Sequence, residues 1–588
     1  MKSFFKYLLA SFLALVIAFF IFFLIVAGMV AGLLTREEKV PEVKEGTTLL
    51  LKLDQPIADR KTNMPAITLS LESFGVGRQI GLNDLLKTIE KAGSDSNISG
   101  IYLELSELQT GIATIEEIRN ALIEFGKTGK FIVAFSDTYS QGAYYLASVA
   151  DKLYLNPAGY INFVGLNAEI MFFRQTLEKL DIEPEIIRHG QFKSAVEPFM
   201  YDRMSPENRQ QINVYLNSIW SHVVGQISSS RGIPSENLNQ YADELLMWSN
   251  ANASKLGLVD GSLYRDQVLD TINCLSSRCD EEETQMIGYD DYLRVPDPQR
   301  KGYSRNKIAV IYASGDIIMG KQTDGFIGSE GMANAIRKAR KDSMVKAIVF
   351  RVNSGGGSAL ASEVIWREID LARKDKPVIA SLGDVAASGG YYIVAPADTI
   401  IASPVTITGS IGVFGIMVNA GDFLENKLGI TIDAEKTNTY SDFGSIFRPL
   451  SPDERRVMQS YVDETYRTFV SHVSEGRGIP YADVDKAGEG RVWSGANAGG
   501  LNLVDLMGGL DRAIDLAADM AGITDYRIIE LPEIEDPITL LINEFTSGIK
   551  ERLLKNELKE NYIRLSEIEK VLGNDRVQAR LPFGITVY

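Results

Sequence analysis

Asp384-Val-Ala-Ala-Ser-Gly-Gly-Tyr-Tyr392 stands two residues after the run Pro377-Val-Ile-Ala-Ser381. The earlier run is short, apolar and bounded by proline, and it reads as a buried strand. The later one is a string of small residues with one hydroxyl and two glycines. Such a string lets backbone amides approach a reacting carbonyl closely. A strand leading through a glycine-rich turn into a helix is the unit of a parallel α/β sheet.

The flanking sequence repeats that unit. Lys307-Ile-Ala-Val-Ile-Tyr312 and Val345-Lys-Ala-Ile-Val-Phe-Arg-Val352 read as further buried strands. Between them, 331–341 has helical spacing and ends in Lys/Arg, which suits a helix C-terminus. A second helix is expected over 358–373. The turn Gly355-Gly-Gly357 follows a strand directly, and Ser388 is expected a few residues after one, opening the next helix. Both fall at the carboxyl ends of strands, where parallel sheets place their functional loops.

The chain is a diverged tandem repeat. At an offset of 247, Gly142-Ala-Tyr-Tyr145 matches Gly389-Gly-Tyr-Tyr392, Ala150-Asp151 matches Ala397-Asp398, Pro157 matches Pro404 and Gly165 matches Gly412. At 246, Ser205-Pro206 matches Ser451-Pro452, and Arg231-Gly-Ile-Pro234 matches Arg477-Gly-Ile-Pro480. At 245, Trp248-Ser249 matches Trp493-Ser494, and Leu256-Gly-Leu-Val-Asp260 matches Leu501-Asn-Leu-Val-Asp505. The expected division is 1–35 for an N-terminal anchor, 46–300 and 306–540 for two homologous α/β domains, and 541–588 for a tail. A repeat this long is a domain duplication; solenoid repeats run about 20–50 residues. Both tryptophans read as structural, and the tail, alternating Lys/Arg with Glu, reads as a solvated helix.

The two halves differ where chemistry is expected. The second carries Asn353-Ser-Gly-Gly-Gly-Ser358; the aligned stretch of the first, Ser106-Glu-Leu-Gln-Thr-Gly111, lacks the glycine triplet. Gln141 stands at the position of Ser388. Conversely, the first half carries His189-Gly-Gln-Phe-Lys-Ser-Ala-Val-Glu-Pro198. The second half's Lys436-Thr-Asn-Thr-Tyr-Ser-Asp442 has Thr439 or Tyr440 where Lys193 would fall. One half thus keeps a candidate nucleophile and the other a candidate base, which is natural if one site forms between them. The chain has three histidines, His189, His222 and His472, and none is near Ser388 in sequence. A serine attacking a carbonyl must lose its proton, and a lysine can take it only when neutral. Burial lowers a lysine pKa from about 10.4 by up to roughly 3–5 units. Phe192, Ala195 and Val196 beside Lys193 offer the apolar surroundings. The amides of Gly389 and Gly356 are candidate oxyanion donors. Asp384 either lines this site or caps the following helix, and His189 is the alternative base.

Composition narrows the partners. The net charge of −17 argues against nucleic acid. Residues 7–34 hold no charged side chain over 28 positions, longer than the roughly 20 residues a bilayer core requires and longer than a signal-peptide core. Lys2 and Lys6 precede this run and Arg36-Glu-Glu-Lys39 follows it, so the N-terminus is expected in the cytoplasm and 36–588 outside. Cys274 and Cys279 read as a small loop bridge or as two unimportant thiols. They offer too few ligands for a metal, and no cofactor or metal is expected.

The segments Gly383-Asp-Val-Ala-Ala-Ser-Gly-Gly-Tyr-Tyr392, Thr408-Gly-Ser-Ile-Gly-Val-Phe-Gly415 and Lys193-Ser-Ala-Val-Glu-Pro-Phe199 resemble the long, duplicated form of the signal peptide peptidase A (protease IV) family. The resemblance runs from the apolar N-terminus to about residue 520. It implies tandem Clp-protease/crotonase-like domains behind a single transmembrane helix. It further implies a Ser-Lys serine endopeptidase with Ser388 as nucleophile and Lys193 as general base, Ser410 orienting the lysine. The implied substrates are cleaved signal peptides and other apolar peptides at the inner membrane, cut on its periplasmic side by a homotetramer. The family's oxyanion loop reads Ser-Pro-Gly-Gly where this chain has Ser354-Gly-Gly-Gly357, which leaves the loop less pre-organised. Two rivals remain at this stage: a silent membrane scaffold that keeps the fold, and a crotonase-like acyl-transfer or hydratase enzyme needing a coenzyme-A pocket.

Overall fold

Strands that are apolar along their whole length must be covered on both faces, and the central strands of each half are of this kind. The computed structural model describes residues 6–7, 12–15, 17–21, 40–61, 66–70, 73–77, 79–297, 302, 304–321, 325–533 and 577–580. In the first half the parallel strands stand in the order Gly261–Ser262, Lys152–Leu155, Phe131–Ser136, Ile98–Glu104, Thr47–Lys52, Met286–Gly288. In the second, Leu506–Met507, Thr399–Ala402, Val378–Ala387, Val345–Ser354, Lys307–Ser314 and Arg527–Leu531 stand in the same order, again parallel. The duplication in sequence is a duplication of topology.

Helices cover both faces. Leu82–Ser94 and Ile112–Gly126 pack on one face of the first sheet, Arg265–Leu275 on the other. In the second half Ser329–Lys341 and Ala359–Arg373 cover one face and Leu510–Met520 the other.

The repeated motifs have repeated structural duties. Ser205 and Ser451 cap the helices Pro206–Arg231 and Pro452–Arg477, each accepting a bond from the backbone N–H three residues on. Proline at the first helical position loses no hydrogen bond. Gly232 (φ 66°) and Gly478 (φ 64°) end the two helices in the left-handed conformation. Arg231 pairs with Asp260 and Arg477 with Asp505. Two of the three histidines belong to this scaffold. Glu116 accepts from the Tyr145 hydroxyl and bonds His222 at 2.9 Å; Glu363 accepts from Tyr392 and bonds His472 at 3.0 Å. Trp248 stacks on Tyr160, and the Trp493 indole N–H donates to Ala487 O. A disulfide joins Cys274 and Cys279.

Two features lock the halves together. A third sheet runs Phe326–Gly328, Asp316–Ile318, Gly356–Ser358, Val577–Arg580, Phe414–Asn419, Glu183–Arg188. In it the first half's Glu183–Arg188 pairs antiparallel with the second half's Phe414–Asn419, with Arg188 opposite Phe414 and Glu183 opposite Asn419. The second lock is Arg351, fully buried. It lies 2.7 Å from Asp59 and 2.7 Å from Glu117 of the first half, and 2.9 Å from the Ser381 hydroxyl.

The tail departs from expectation. Residues 577–580 are a strand, with Val577, Gln578 and Ala579 buried, because strands on both sides pair with them. The rest of 541–588 lies outside the described residues. Most of the apolar run 7–34 does too, and among the described residues no helix is long and apolar enough to cross a membrane.

Candidate active site

The strand Val378–Ala387 runs directly into Ser388, without the intervening residues the sequence suggested. Ser388 then turns the chain into the helix Gly389–Val394 at φ 55°, ψ −117°, a conformation a side chain rarely adopts. It is held there from both sides. Its N–H donates to Gly409 O at 2.8 Å, and its C=O accepts from Tyr392 N at 2.8 Å. Glycine is required at the next two positions. A Cβ on Gly389 would lie 2.7 Å from Ser362 Oγ, and one on Gly390 would collide with Ser354 O.

Lys193 arrives from the other half. The strand Glu183–Arg188, held on Phe414–Asn419, delivers the loop that carries it. A left-handed Gly190 (φ 96°) turns that loop against Glu489. Phe192 N donates to Glu489 O at 3.0 Å, and Gln211 donates to Phe192 O at 3.1 Å and to Ser194 Oγ at 2.9 Å while accepting from Val492 N. Gly490 leaves room for the lysine: a Cβ there would lie 2.6 Å from Lys193 Cα. Ala195 and Val196, which follow Lys193 in the chain, pack in a buried cluster with Phe199, Phe414 and Ile416.

The two side chains meet. Lys193 Nζ lies 2.8 Å from Ser388 Oγ, 3.1 Å from Ser410 Oγ and 3.3 Å from Ser410 O. Lys193 is 1% exposed and Ser388 is fully buried. No carboxylate bonds the lysine among the described residues, and burial holds its pKa well below the ordinary lysine value. Ser410, itself at φ 51°, is fixed through its N–H to Arg491 O at 2.7 Å.

The other candidates fall as follows. Gly356 (φ 102°) sits beside Gly389, since a Cβ on it would lie 2.7 Å from Gly389 N. Its own N–H donates to Ser354 Oγ at 3.1 Å, so in this state that amide is turned to the serine rather than to an oxyanion. Gly355 is not among the left-handed glycines. Asp384 neither lines the site nor caps the helix after it. It accepts from Thr114 N at 2.9 Å and Thr114 Oγ1 at 2.7 Å, capping the first half's helix Ile112–Gly126. His189 does not reach Ser388; it bonds Asp463 at 2.8 Å, stacks on Tyr466 and is 36% exposed. In the first half, Gln141 fills the place of Ser388. Its amide accepts from Val164 N and Gly165 N and donates to Gly165 O, the counterpart of Gly412.

Sequence reading missed Gln211, Gly490 and Arg351. Gly490 carried a signal, as the second glycine of Gly488-Glu-Gly490; Gln211 and Arg351 carried none, since a lone polar residue on a helix or strand reads as a solvated face. Together the groups present a hydroxyl on a strained turn, a dehydrated amine, a second hydroxyl and glycine backbone. That is the equipment for covalent acyl transfer.

Known proteins with related sequences bear on this geometry. The model of peptidase family S49 matches residues 124–277 and 370–524, once in each half. Protease 4 of Haemophilus influenzae is 35% identical over 527 residues, covering 86% of this chain and 85% of that protein. Protease 4 of Salmonella typhi is 33% identical over 562 residues, covering 92% and 89%. The chloroplastic serine protease SPPA of Arabidopsis thaliana is 32% identical over 516 residues, covering 86% and 74%. The duplicated α/β fold, the double match and these relatives together make this chain a member of peptidase family S49 and a serine endopeptidase.

Proposed function

We propose that Ser388 and Lys193 form a Ser-Lys dyad, one residue from each half, in a membrane-anchored endopeptidase that degrades cleaved signal peptides and other apolar peptides. The observation that carries this reading is the 2.8 Å approach of buried Lys193 Nζ to buried Ser388 Oγ, with no carboxylate bonded to the lysine among the described residues.

Neutral Lys193 accepts the Ser388 proton as Oγ attacks the scissile carbonyl carbon. The Gly389 N–H, beside the nucleophile, stabilises the negative charge that develops on the carbonyl oxygen; one such donor is worth about 10²–10³ in rate. Gly356 supplies a second amide once its bond to Ser354 is released. Lys193 then protonates the departing amine, and the acyl group remains on Ser388 as an ester. Water attacks the ester, its proton passing to Lys193, and Ser388 is restored. The Ser410 hydroxyl orients the amine throughout.

The uncharged run 7–34 supports an anchor in the inner membrane, N-terminus in the cytoplasm, and a tethered site meets apolar substrates at the bilayer surface. The Cys274–Cys279 disulfide favours an oxidising compartment such as the periplasm. The homotetramer is carried over from the family resemblance.

The test is hydrolysis of an apolar signal-peptide-like substrate by the detergent-solubilised chain, with Ser388→Ala and Lys193→Ala in parallel. Wild-type cleavage with both variants near background is expected. Cleavage surviving Lys193→Ala would remove the lysine as base, and cleavage surviving Ser388→Ala would remove the dyad. An inactive wild type would favour the silent scaffold.

A further inference from the structure

The strained turn at Ser388 is held by the residue four places after it. The Ser388 carbonyl accepts from Tyr392 N at 2.8 Å, which closes the first turn of the helix Gly389–Val394. The same tyrosine is tethered at its other end, where its hydroxyl donates to Glu363 Oε2 at 2.5 Å. His472 Nε2 bonds that oxygen at 3.0 Å. The His472 ring stacks on Trp366 with centroids 3.5 Å apart, and the Tyr392 ring packs on Phe469 at 4.5 Å. Burial opposes the charge on Glu363, yet the bonds from His472 and Tyr392 hold its carboxyl below the ordinary glutamate value. A hydroxyl bonded to an ionised carboxylate makes a short, strong contact.

Glu363 reaches the site by a second route, through its own helix. Ala359–Arg373 begins at Ser358, the last residue of Gly356–Ser358, which holds the candidate donor Gly356. Ser362, next to Glu363, donates to Ser358 O at 2.9 Å, and its hydroxyl leaves no space for a Cβ on Gly389. The Tyr392–Glu363 bond therefore ties the helix that starts at Ser388 to the helix that starts at the glycine loop. The first half holds the same trio in Tyr145, Glu116 and His222, but with Gln141 in place of Ser388. There the trio serves the scaffold alone. The duplication thus supplies, inside one molecule, the same contact with and without the serine.

We propose that Tyr392 and Glu363 are positioning residues for the reaction: their bond fixes the Ser388 turn relative to the Gly389 and Gly356 amides, and His472 braces the carboxylate. The inference rests on the dyad reading above. Neither residue touches the reacting atoms. Tyr392 acts through the turn from its N–H to Ser388 O, which sets where Oγ stands. Glu363 acts through the helix start that sets where the glycine loop stands. A displacement of about 1 Å in a reacting group costs roughly 10² in rate. Substrate contacts remote from the turn are left in place, so the loss falls on kcat.

The experiment measures kcat and KM of the detergent-solubilised full chain for a fluorogenic, apolar signal-peptide-like substrate, with thermal unfolding followed alongside. The variants are Tyr392→Phe, its counterpart Tyr145→Phe, Glu363→Ala, the double variant Tyr392→Phe with Glu363→Ala, and Ser388→Ala. Tyr392→Phe is expected to lower kcat about 10-fold or more with KM little changed. Tyr145→Phe is expected to keep the wild-type kcat although it destabilises the chain at least as much, because the Glu116 side chain is 6% exposed against 40% for Glu363. The double variant is expected to lose no more than the worse single variant, since the two groups make one bond. A Tyr392→Phe chain with wild-type kcat, or a Tyr145→Phe chain that loses as much, overturns the inference and leaves the dyad standing. A double loss equal to the product of the single losses overturns it too. If the wild type is inactive or Ser388→Ala still hydrolyses the substrate, the dyad reading fails and the inference falls with it.

Discussion

Lys193 Nζ and Ser388 Oγ lie 2.8 Å apart although they come from opposite halves of a duplicated chain, 195 residues apart. The arrangement divides labour between two copies of one fold. The first copy has replaced its serine by Gln141, whose amide now bonds the backbone around Gly165. The second has Thr439 or Tyr440, not a lysine, at the matching place of its own loop. The contact draws one residue from each half, so whatever holds the halves together also holds the site.

The pH dependence follows from the buried amine. Lys193 acts only when neutral, and burial lowers its pKa, so the competent fraction rises with pH through that lowered value and then levels off. The profile of kcat/KM is expected to show a single acid limb well below the ordinary lysine pKa of about 10.4. An inflection near the ordinary value would show that burial does not govern the reaction.

Lys193→Met should raise stability while removing activity. Between the lowered pKa and about 10.4 the unfolded chain binds a proton that the folded chain does not, so stability rises with pH across that window. Below it the full penalty applies, about 1.36 kcal/mol for each unit of depression. Thermal unfolding of the variant should therefore exceed wild type at neutral pH, with the gap narrowing toward alkaline pH. Equal stabilities at neutral pH would contradict the shift.

Ser410→Ala removes the hydroxyl 3.1 Å from Lys193 Nζ and leaves the lysine's contact with the Ser410 carbonyl. A misplaced catalytic group loses rate rather than binding. We expect kcat to fall about 10- to 100-fold with KM little changed. A change confined to KM would assign the hydroxyl to substrate binding.

Arg351→Ala leaves Asp59 and Glu117 buried without their cation. Breaking such a cluster from one side costs about 3–5 kcal/mol. Denaturant unfolding should register that loss, and activity should fall with it because the halves carry one residue each of the site. The triple change Arg351→Met, Asp59→Asn, Glu117→Gln is expected to cost less than Arg351→Ala alone, since no unpaired charge remains.

Gly355→Pro should be tolerated. The residue before it, Ser354, is extended as proline demands, and Gly355 is not left-handed. Restricting the unfolded chain then stabilises by about 0.4–1 kcal/mol. Melting with retained turnover would support this, and a loss of both would show that the loop requires glycine's freedom.

Much of this was legible in the chain itself. The offsets near 247 carry the duplication, and six strands of the second sheet stand in the order of the first sheet's six, with Ile407–Gly409 and Val492–Ser494 added beside them. Short apolar runs such as Lys307-Ile-Ala-Val-Ile-Tyr312 and Pro377-Val-Ile-Ala-Ser381 can be buried only between two helical layers, so composition and period suffice to read them. The asymmetry of Ser388 against Gln141 and of Lys193 against Thr439 or Tyr440 singled out two residues that the fold brings to 2.8 Å. Other relationships arose only in three dimensions. The register of Glu183–Arg188 on Phe414–Asn419 decides that the lysine loop reaches the serine. Asp384 caps a helix 270 residues away, and Arg351 finds two carboxylates in the other half. The charged tail, helical by its period, supplies a strand because two open edges beside Ser388 accept one. Local sequence reports local conformation and burial. Contacts between distant segments depend on which edges and charges the finished fold leaves unpaired, and no short-range pattern encodes that.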